Sequence, residues 1–371
     1  MKLQTEAKFN YIFAGGGTGG HLFPLVAVAE QIKFEMPDSE ILFVGTKNKI
    51  ESRVIPNLGY KFLPLSISGM PRKLSPELFS FFFKLIFSVV KSLQICLKFK
   101  PHVAIGSGAY VSGPIMWAAK LTGAKIVLLE QNSYPGVTNR LLEKKADKIY
   151  ISFEDSKKYF RCKDKLFLYG NPLRINITKN NKADAKRLFG LNNENATLVI
   201  LGGSLGARNI NTAVEKNLDK FKENKINVIW QCGNNYYDSL AKYNCDTVKV
   251  YPFINNMGEA YSVADLVIAR AGATTIAEAA FLGLPVIFIP SPNVTDDHQY
   301  KNAKSLADKG GAIVIRDNEA SDNMLSAVLE TINDKDKLEK LSKNIKNFAG
   351  IDTAKKISVE IIDLAKNKNR L

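Results

Sequence analysis

A chain of 371 residues exceeds one ordinary hydrophobic core and points to two domains. Its 46% hydrophobic and 10% aromatic residues can fill both cores, which excludes a disordered chain. The net charge of +15 is lopsided, because residues 1–173 hold 24 lysines and arginines against 13 acids. Such a basic half suits nucleic acid, anionic lipid or an anionic substrate, and the lack of interleaved aromatic and basic residues, or of any nucleic-acid module, removes the first.

In chain order, the polar start from Met1 to Lys8 leads into an apolar run that glycine soon stops, so no signal peptide is expected. Runs at residues 11–14, 41–44, 103–105, 126–129 and 149–152 are apolar on both faces and read as buried parallel strands. A second series follows at 198–201, 228–230, 266–269, 286–289 and 313–315. With helical stretches between them, the expected class is α/β, two doubly wound Rossmann-like domains in tandem. The joint falls near Gly170-Asn171-Pro172-Leu173-Arg174, which predicts domains at 1–173 and 174–353. Residues 354–365 are apolar at helical spacing, and a lysine-rich tail follows.

Each series opens with a strand running into a glycine-rich turn and then a helix. The first turn is Gly15-Gly16-Gly17-Thr18-Gly19-Gly20-His21, the second Gly202-Gly203-Ser204-Leu205-Gly206-Ala207. Both turns would present backbone N–H groups at a helix N-terminus, where the dipole favours phosphate, or would simply permit tight turns. The first also satisfies G-x-G-x-x-G, but the second strand ends Val44-Gly45-Thr46-Lys47 without the carboxylate that a dinucleotide ribose needs. Farther on, Asp265 to Ala280 reads as strand, small-residue turn and helix. That places Glu278 where a carboxylate can accept from a ribose diol, or where it merely favours a helix start.

Cys96, Cys162, Cys232 and Cys245 are scattered, which suggests a reducing compartment and no disulfide framework. His21, His102 and His298 lack metal-ligand spacing, so neither a metal site nor a cofactor is expected. The lone D-x-D, Asp334-Lys335-Asp336, lies in a lysine-rich helical surface and reads as a solvated face. Residues 78–90 are rich in phenylalanine and flanked by Arg72, Lys73, Lys84, Lys91, Lys98 and Lys100. Too short to span a bilayer, this stretch predicts either an interfacial helix on anionic lipid, within residues 72–100, or a buried Rossmann helix.

Taken together, these landmarks resemble the MurG family, the transferases that move N-acetylglucosamine from UDP-N-acetylglucosamine to undecaprenyl-pyrophosphoryl-muramyl-pentapeptide (lipid I), making lipid II for peptidoglycan. The landmarks are residues 16–24, 106–114, Glu130-Gln131-Asn132, Gly170 to Arg174, Gly202-Gly203-Ser204, Arg270 to Glu278 and Asp297-His298-Gln299, in family order. The resemblance implies a GT-B glycosyltransferase fold, with its domains facing across a cleft and the helix of residues 354–371 packed back on the first. It implies that the second domain binds UDP-N-acetylglucosamine. Ile254 and the run Ala273, Thr274, Thr275, Ile276 and Ala277 would lie at the uracil, and Glu278 at the ribose. Ser204 would meet the diphosphate, Asn132, Arg174 and Gln299 the donor, and Thr18, Gly19 and Gly20 would close over it. Leu205, where the family often has glutamine, and His298, where some members have a second glutamine, depart from the pattern.

An α-linked donor giving a β-1,4 product requires inversion, hence in-line attack by the acceptor 4-hydroxyl and one general base. His21, directly after the glycine loop, is the expected base, and Glu130 is its rival. The helix behind Ser204 would stabilise departing UDP. The first domain would bind acceptor and membrane at the cytoplasmic face as a peripheral protein, where other cell-wall synthesis proteins could meet it. Two readings compete: a diacylglycerol glycosyltransferase of the same fold, and a non-catalytic basic membrane-binding protein.

Overall fold

The structure, a computed structural model, describes residues 8–67, 69, 76–174, 178–203 and 205–368. Of the residues singled out above, 1–7, Arg72, Lys73, Ser204 and 369–371 lie outside the described residues, as do the side chains of residues 76–80 and 82. Residues 1–175 with 350–371 form one compact unit, and residues 176–349 form a second.

The first unit is built on a parallel sheet of seven strands: β1 (Asn10–Ala14), β2 (Glu40–Thr46), β3 (Lys61–Leu65), β4 (Val103–Gly106), β5 (Lys125–Glu130), β6 (Lys148–Ile151) and β7 (Leu166–Leu168). Their spatial order is β3-β2-β1-β4-β5-β6-β7, so the sheet reverses its winding between β1 and β4. Phe13 of β1 pairs with Phe43 of β2 and Ile105 of β4, and the two rings stack at 5.1 Å. Both faces are covered, as a parallel sheet requires. Helix Gly19–Glu35 and helix Thr353–Lys368 bury Leu22, Leu25, Ile357 and Ile361 on one side, while helices Pro76–Phe99 and Ser112–Leu121 bury Ile95, Cys96, Ile115 and Met116 on the other.

Helix Thr353–Lys368 is held by one carboxylate as well as by its apolar face. Glu360 accepts from the Lys148 ammonium at 2.5 Å, the Tyr150 hydroxyl at 2.6 Å and the Tyr169 hydroxyl at 2.5 Å. Burial works to raise its pKa, but these donors outweigh burial and hold the carboxyl below its ordinary range. Its stabilising share is therefore present above the unfolded carboxylate pKa and lost as pH falls through the lower folded value. Glu360→Ala is expected to cost about 2 to 3 kcal/mol, the worth of charge-assisted bonds, and to lower the melting temperature at pH 7 by about 5 to 10 °C. An unchanged melt would show that the helix is docked by its apolar face alone.

The second unit repeats the topology with β8 (Ala196–Leu201), β9 (Ile226–Gln231), β10 (Val248–Tyr251), β11 (Leu266–Ala269), β12 (Val286–Phe288) and β13 (Ile313–Val314), all parallel in the order β10-β9-β8-β11-β12-β13. Its winding reverses between β8 and β11. Trp230 is fully buried on β9, with its indole N–H donating to Asn211 at 3.0 Å, while the Asn211 amide donates to the Cys232 carbonyl at 2.9 Å. The polar tip of the buried indole is thus satisfied inside the core.

In the D-x-D triplet, Asp334 caps helix Lys335–Ile345 by accepting from the Lys337 N–H at 2.9 Å. The phenylalanine-rich stretch is part of the 24-residue helix Pro76–Phe99. Among the described residues no helix is long and apolar enough to cross a membrane.

Candidate active site

In an open α/β sheet, ligands meet the carboxyl ends of the strands where the winding reverses. In the first unit that place is formed by the loops after β1, β4 and β5, and His21 ties them together. It stands in the first turn of helix Gly19–Glu35, and its Nδ1 lies 2.7 Å from the Ser107 carbonyl and 3.2 Å from the Gln131 side-chain oxygen. Both partners are acceptors, so Nδ1 carries the proton of the neutral ring and Nε2 keeps the lone pair that a general base needs.

Glu130 has a different place from the one expected of a base. It is 2% exposed, and its oxygens accept from the N–H groups of Asn132 and Gly136, both at 3.0 Å, and from the Asn139 amide at 2.9 Å. Burial pushes its pKa up, against the pull of those donors. The carboxylate anchors the 130–139 loop, which carries Gln131 to His21; reaching a substrate would mean dismantling that loop. Asn139 also packs against Gly108, whose φ of +86° favours glycine and whose missing Cβ would stand 2.9 Å from the Asn139 amide.

The glycine loop has a partner that the sequence reading missed. Glu51, 1% exposed at the start of helix Glu51–Asn57, accepts from the Gly17 N–H at 2.8 Å, the Thr46 N–H at 2.9 Å and the Thr46 hydroxyl at 2.5 Å. A carboxylate does stand by the first loop, just past the strand end where one was sought. Thr18 is exposed, and Gly19 and Gly20, partly exposed, form the first helical turn. Asn132 is folded onto Glu130, and Arg174 grips Glu30 by two nitrogens at 2.7 and 3.3 Å.

In the second unit, the loops after β8 and β11 occupy the corresponding place. Gly206 and Gly233 have φ of +85° and +89°, and a Cβ on Gly233 would fall 2.0 Å from the Gly206 nitrogen, so the two chains pass backbone to backbone. Ser204 lies outside the described residues, and Leu205 next to it is 68% exposed. Helix Arg208–Glu223 follows with no acid in its first turn, leaving its positive pole uncompensated from within.

After β11, Arg270 donates to the carbonyls of Ile289 and Pro290 at 2.9 and 3.1 Å and pairs with Asp317 at 2.5 Å, which fixes the loops after β11 and β12. Helix Ala273–Leu282 then begins at Gly272. Ala273, Ile276 and Ala277 are buried, while Thr274 and Thr275 are partly exposed. Glu278 accepts from the Tyr261 hydroxyl at 2.7 Å. Burial raises its carboxyl to about 7, with the tyrosine bond pulling the other way. Ile254 is buried and its N–H donates to Gln231 at 2.9 Å, while the Gln299 side-chain oxygen accepts from the Ser291 N–H at 2.9 Å. The second-unit candidates thus lie on the loop at Ile254 and in the first turns of helices Ala273–Leu282 and His298–Ala307, where polar bonds already hold Ile254, Glu278 and Gln299.

Comparison with known proteins gives the family. Residues 11–151 match the glycosyltransferase family 28 N-terminal domain, and residues 197–357 match the C-terminal domain of the same family. A UDP-N-acetylglucosamine–N-acetylmuramyl-(pentapeptide) pyrophosphoryl-undecaprenol N-acetylglucosamine transferase of Flavobacterium psychrophilum is 42% identical over 97% of this chain and 99% of its own length. The transferase of that name from Bacteroides thetaiotaomicron is also 42% identical, over 98% and 100%. Among solved structures, Acinetobacter baumannii MurG superposes with a TM-score of 0.77 at 27% identity, covering 96% of this chain and all of that one. The kitacinnamycin glycotransferase, at 14% identity and a TM-score of 0.68 over 97% and 100%, shares the fold alone. The fold is GT-B, and the chain belongs to glycosyltransferase family 28 and, within it, to the MurG family of N-acetylglucosamine transferases.

Proposed function

We infer that the protein transfers N-acetylglucosamine from UDP-N-acetylglucosamine to the 4-hydroxyl of the muramyl sugar of lipid I, with inversion. The observation that carries the reading is His21, held by acceptors on Nδ1 at the winding reversal of the first unit. His21 takes the proton of the acceptor 4-hydroxyl as its oxygen attacks the anomeric carbon and the bond to UDP breaks. In the second unit Glu278 accepts from the ribose diol, the loop at Ile254 and the helix start at residues 273–277 receive the uracil, and the N-terminal pole of helix Arg208–Glu223 meets the charge growing on the diphosphate.

The test is transfer of labelled N-acetylglucosamine to a lipid I analogue, with diacylglycerol as the parallel acceptor. Product on the lipid I analogue alone is expected. Product on diacylglycerol, or none on the analogue, would overturn the reading.

The first unit is also read as the membrane-facing one, peripheral at the cytoplasmic face. On helix Pro76–Phe99, Phe83, Ile86, Phe87, Val90 and Leu97 form an exposed apolar stripe, Phe87 at 76%. Lys84, Lys91 and Lys98 recur every seventh residue along one edge of it. Apolar residues flanked by cations suit the headgroup boundary of an anionic bilayer. Lys84→Gln with Lys98→Gln is expected to weaken binding to phosphatidylglycerol vesicles about thirtyfold at low salt, at about 1 kcal/mol per lysine. Equal co-sedimentation of variant and parent would sink this assignment.

A further inference from the structure

We propose that Glu51 is a positioning residue of the transfer reaction: it clamps the first glycine loop so that His21 is aimed at the acceptor hydroxyl, and it takes the Gly17 amide away from any phosphate. The proposal rests on His21 being the base.

Between β1 and helix Gly19–Glu35, residues 15–18 carry one side chain, that of Thr18. Gly16 and Gly17 have φ of +147° and +81°, in the region that favours glycine. A segment of this composition does not define its own shape and must be held from outside. The holding points are Gly17, bonded to Glu51, and His21, bonded to Ser107 and Gln131.

The backbone is shaped around the Glu51 carboxyl. A Cβ on Gly16 would lie 2.2 Å from its Cδ, and a Cβ on Gly45 would lie 2.5 Å from its Cγ. Glycine at both positions makes the space that a buried acid needs. A glutamate serving only to begin a helix would need neither the space nor the burial.

The same bond limits what the loop can do. The Gly17 N–H has one hydrogen, and a carboxylate already holds it. A phosphate brought to that amide would compete with the carboxylate of Glu51, itself only 1% exposed, and would meet its like charge. The Gly17 end of the loop therefore serves as the mount of His21, and a substrate phosphate must find amides other than that of Gly17.

Glu51→Gln keeps the shape but turns one acceptor oxygen into an NH2 that faces an N–H donor. At saturating substrates its kcat is expected to fall about ten- to a hundredfold, the cost of a misplaced catalytic group, with the donor Kd within about twofold of the parent. Thr46→Val, which removes only the hydroxyl donor, should keep kcat within about twofold. The double variant His21→Asn/Glu51→Gln should be no slower than His21→Asn alone, because Glu51 acts through His21. Parental kcat in folded Glu51→Gln, a loss matched by an equal loss of donor affinity, or additive losses in the double variant would each overturn the proposal. If Glu51→Gln does not fold, Glu51→Asp, which draws the carboxylate back from Gly17, must show the same kcat loss with donor affinity retained. A parental kcat there refutes the proposal. Failure of the parent protein to transfer, or full activity of His21→Asn, would instead strike the functional reading beneath it.

Discussion

His21→Asn is expected to lower the single-turnover rate by about two to four orders of magnitude, the usual worth of a positioned general base. Asparagine suits the test because its amide can still donate toward the Ser107 carbonyl, as Nδ1 does now at 2.7 Å, while offering nothing in place of Nε2. Loop geometry is then largely kept, and the dissociation constants of donor and acceptor should stay within about threefold, as for a group that acts in the transition state. If His21 instead only orders the loop, affinity and rate fall together. A parental rate with parental affinities would remove His21 from the chemistry, and Glu130, locked into its own loop, offers no ready substitute.

Glu278→Ala is expected to raise the donor dissociation constant by about a hundredfold or more, because two charge-assisted bonds to a ribose diol are worth about 1.5 to 3 kcal/mol each. The carboxyl titrates near neutrality, lifted by burial to about 7. Only its ionised form accepts from both hydroxyls, so donor affinity should tighten as pH rises from 6 to 8. Glu278→Gln should flatten that profile. The sign for stability is the opposite. The folded pKa lies above the unfolded one, so the group's contribution is fully present below the unfolded carboxylate pKa and is lost as pH climbs through about 7. Isothermal titration of the donor at three pH values on parent and variant checks the affinity and thermal melts at the same pH values check the stability; a flat parental binding profile would argue against an ionised Glu278 on the ribose.

What the sequence revealed follows from where each strand lies. Interior strands such as β1, β4, β8 and β11 are apolar on both faces and appear as uninterrupted runs. The strands that escaped notice, β3, β7 and β10, are all sheet edges. β3 reads Lys-Phe-Leu-Pro-Leu with alternating exposure and a proline that an edge tolerates, β10 alternates Val248 and Val250 inward with Lys249 and Tyr251 partly exposed, and β7 has three residues. Half-solvated strands lack the signal that marks buried ones.

The site divides the same way. Glycine turns are local, and both were legible, as was the helix start that carries Glu278. Contacts across the chain were not: Glu51 reaches Gly17 because β1 and β2 run side by side, and Gln131 reaches His21 from a loop 110 residues away. Arg174, expected at the donor, is forked onto Glu30 inside the first unit, a pairing that no local pattern announces.

The return of residues 350–371 to the first unit has a consequence for how the protein is made. Synthesis is vectorial, and the first core remains open until Ile357, Ile361, Ile362 and Ala365 leave the ribosome. The second unit, residues 176–349, is complete before that moment. The half of the protein that is begun first is therefore finished last, with an already folded unit inserted in its chain. Until then the side of the nascent unit that helix Thr353–Lys368 covers, over β4, β5 and helix Gly19–Glu35, stays open as a grip for chaperones, and a truncation near residue 355 would injure the unit farther away in sequence rather than the adjoining one.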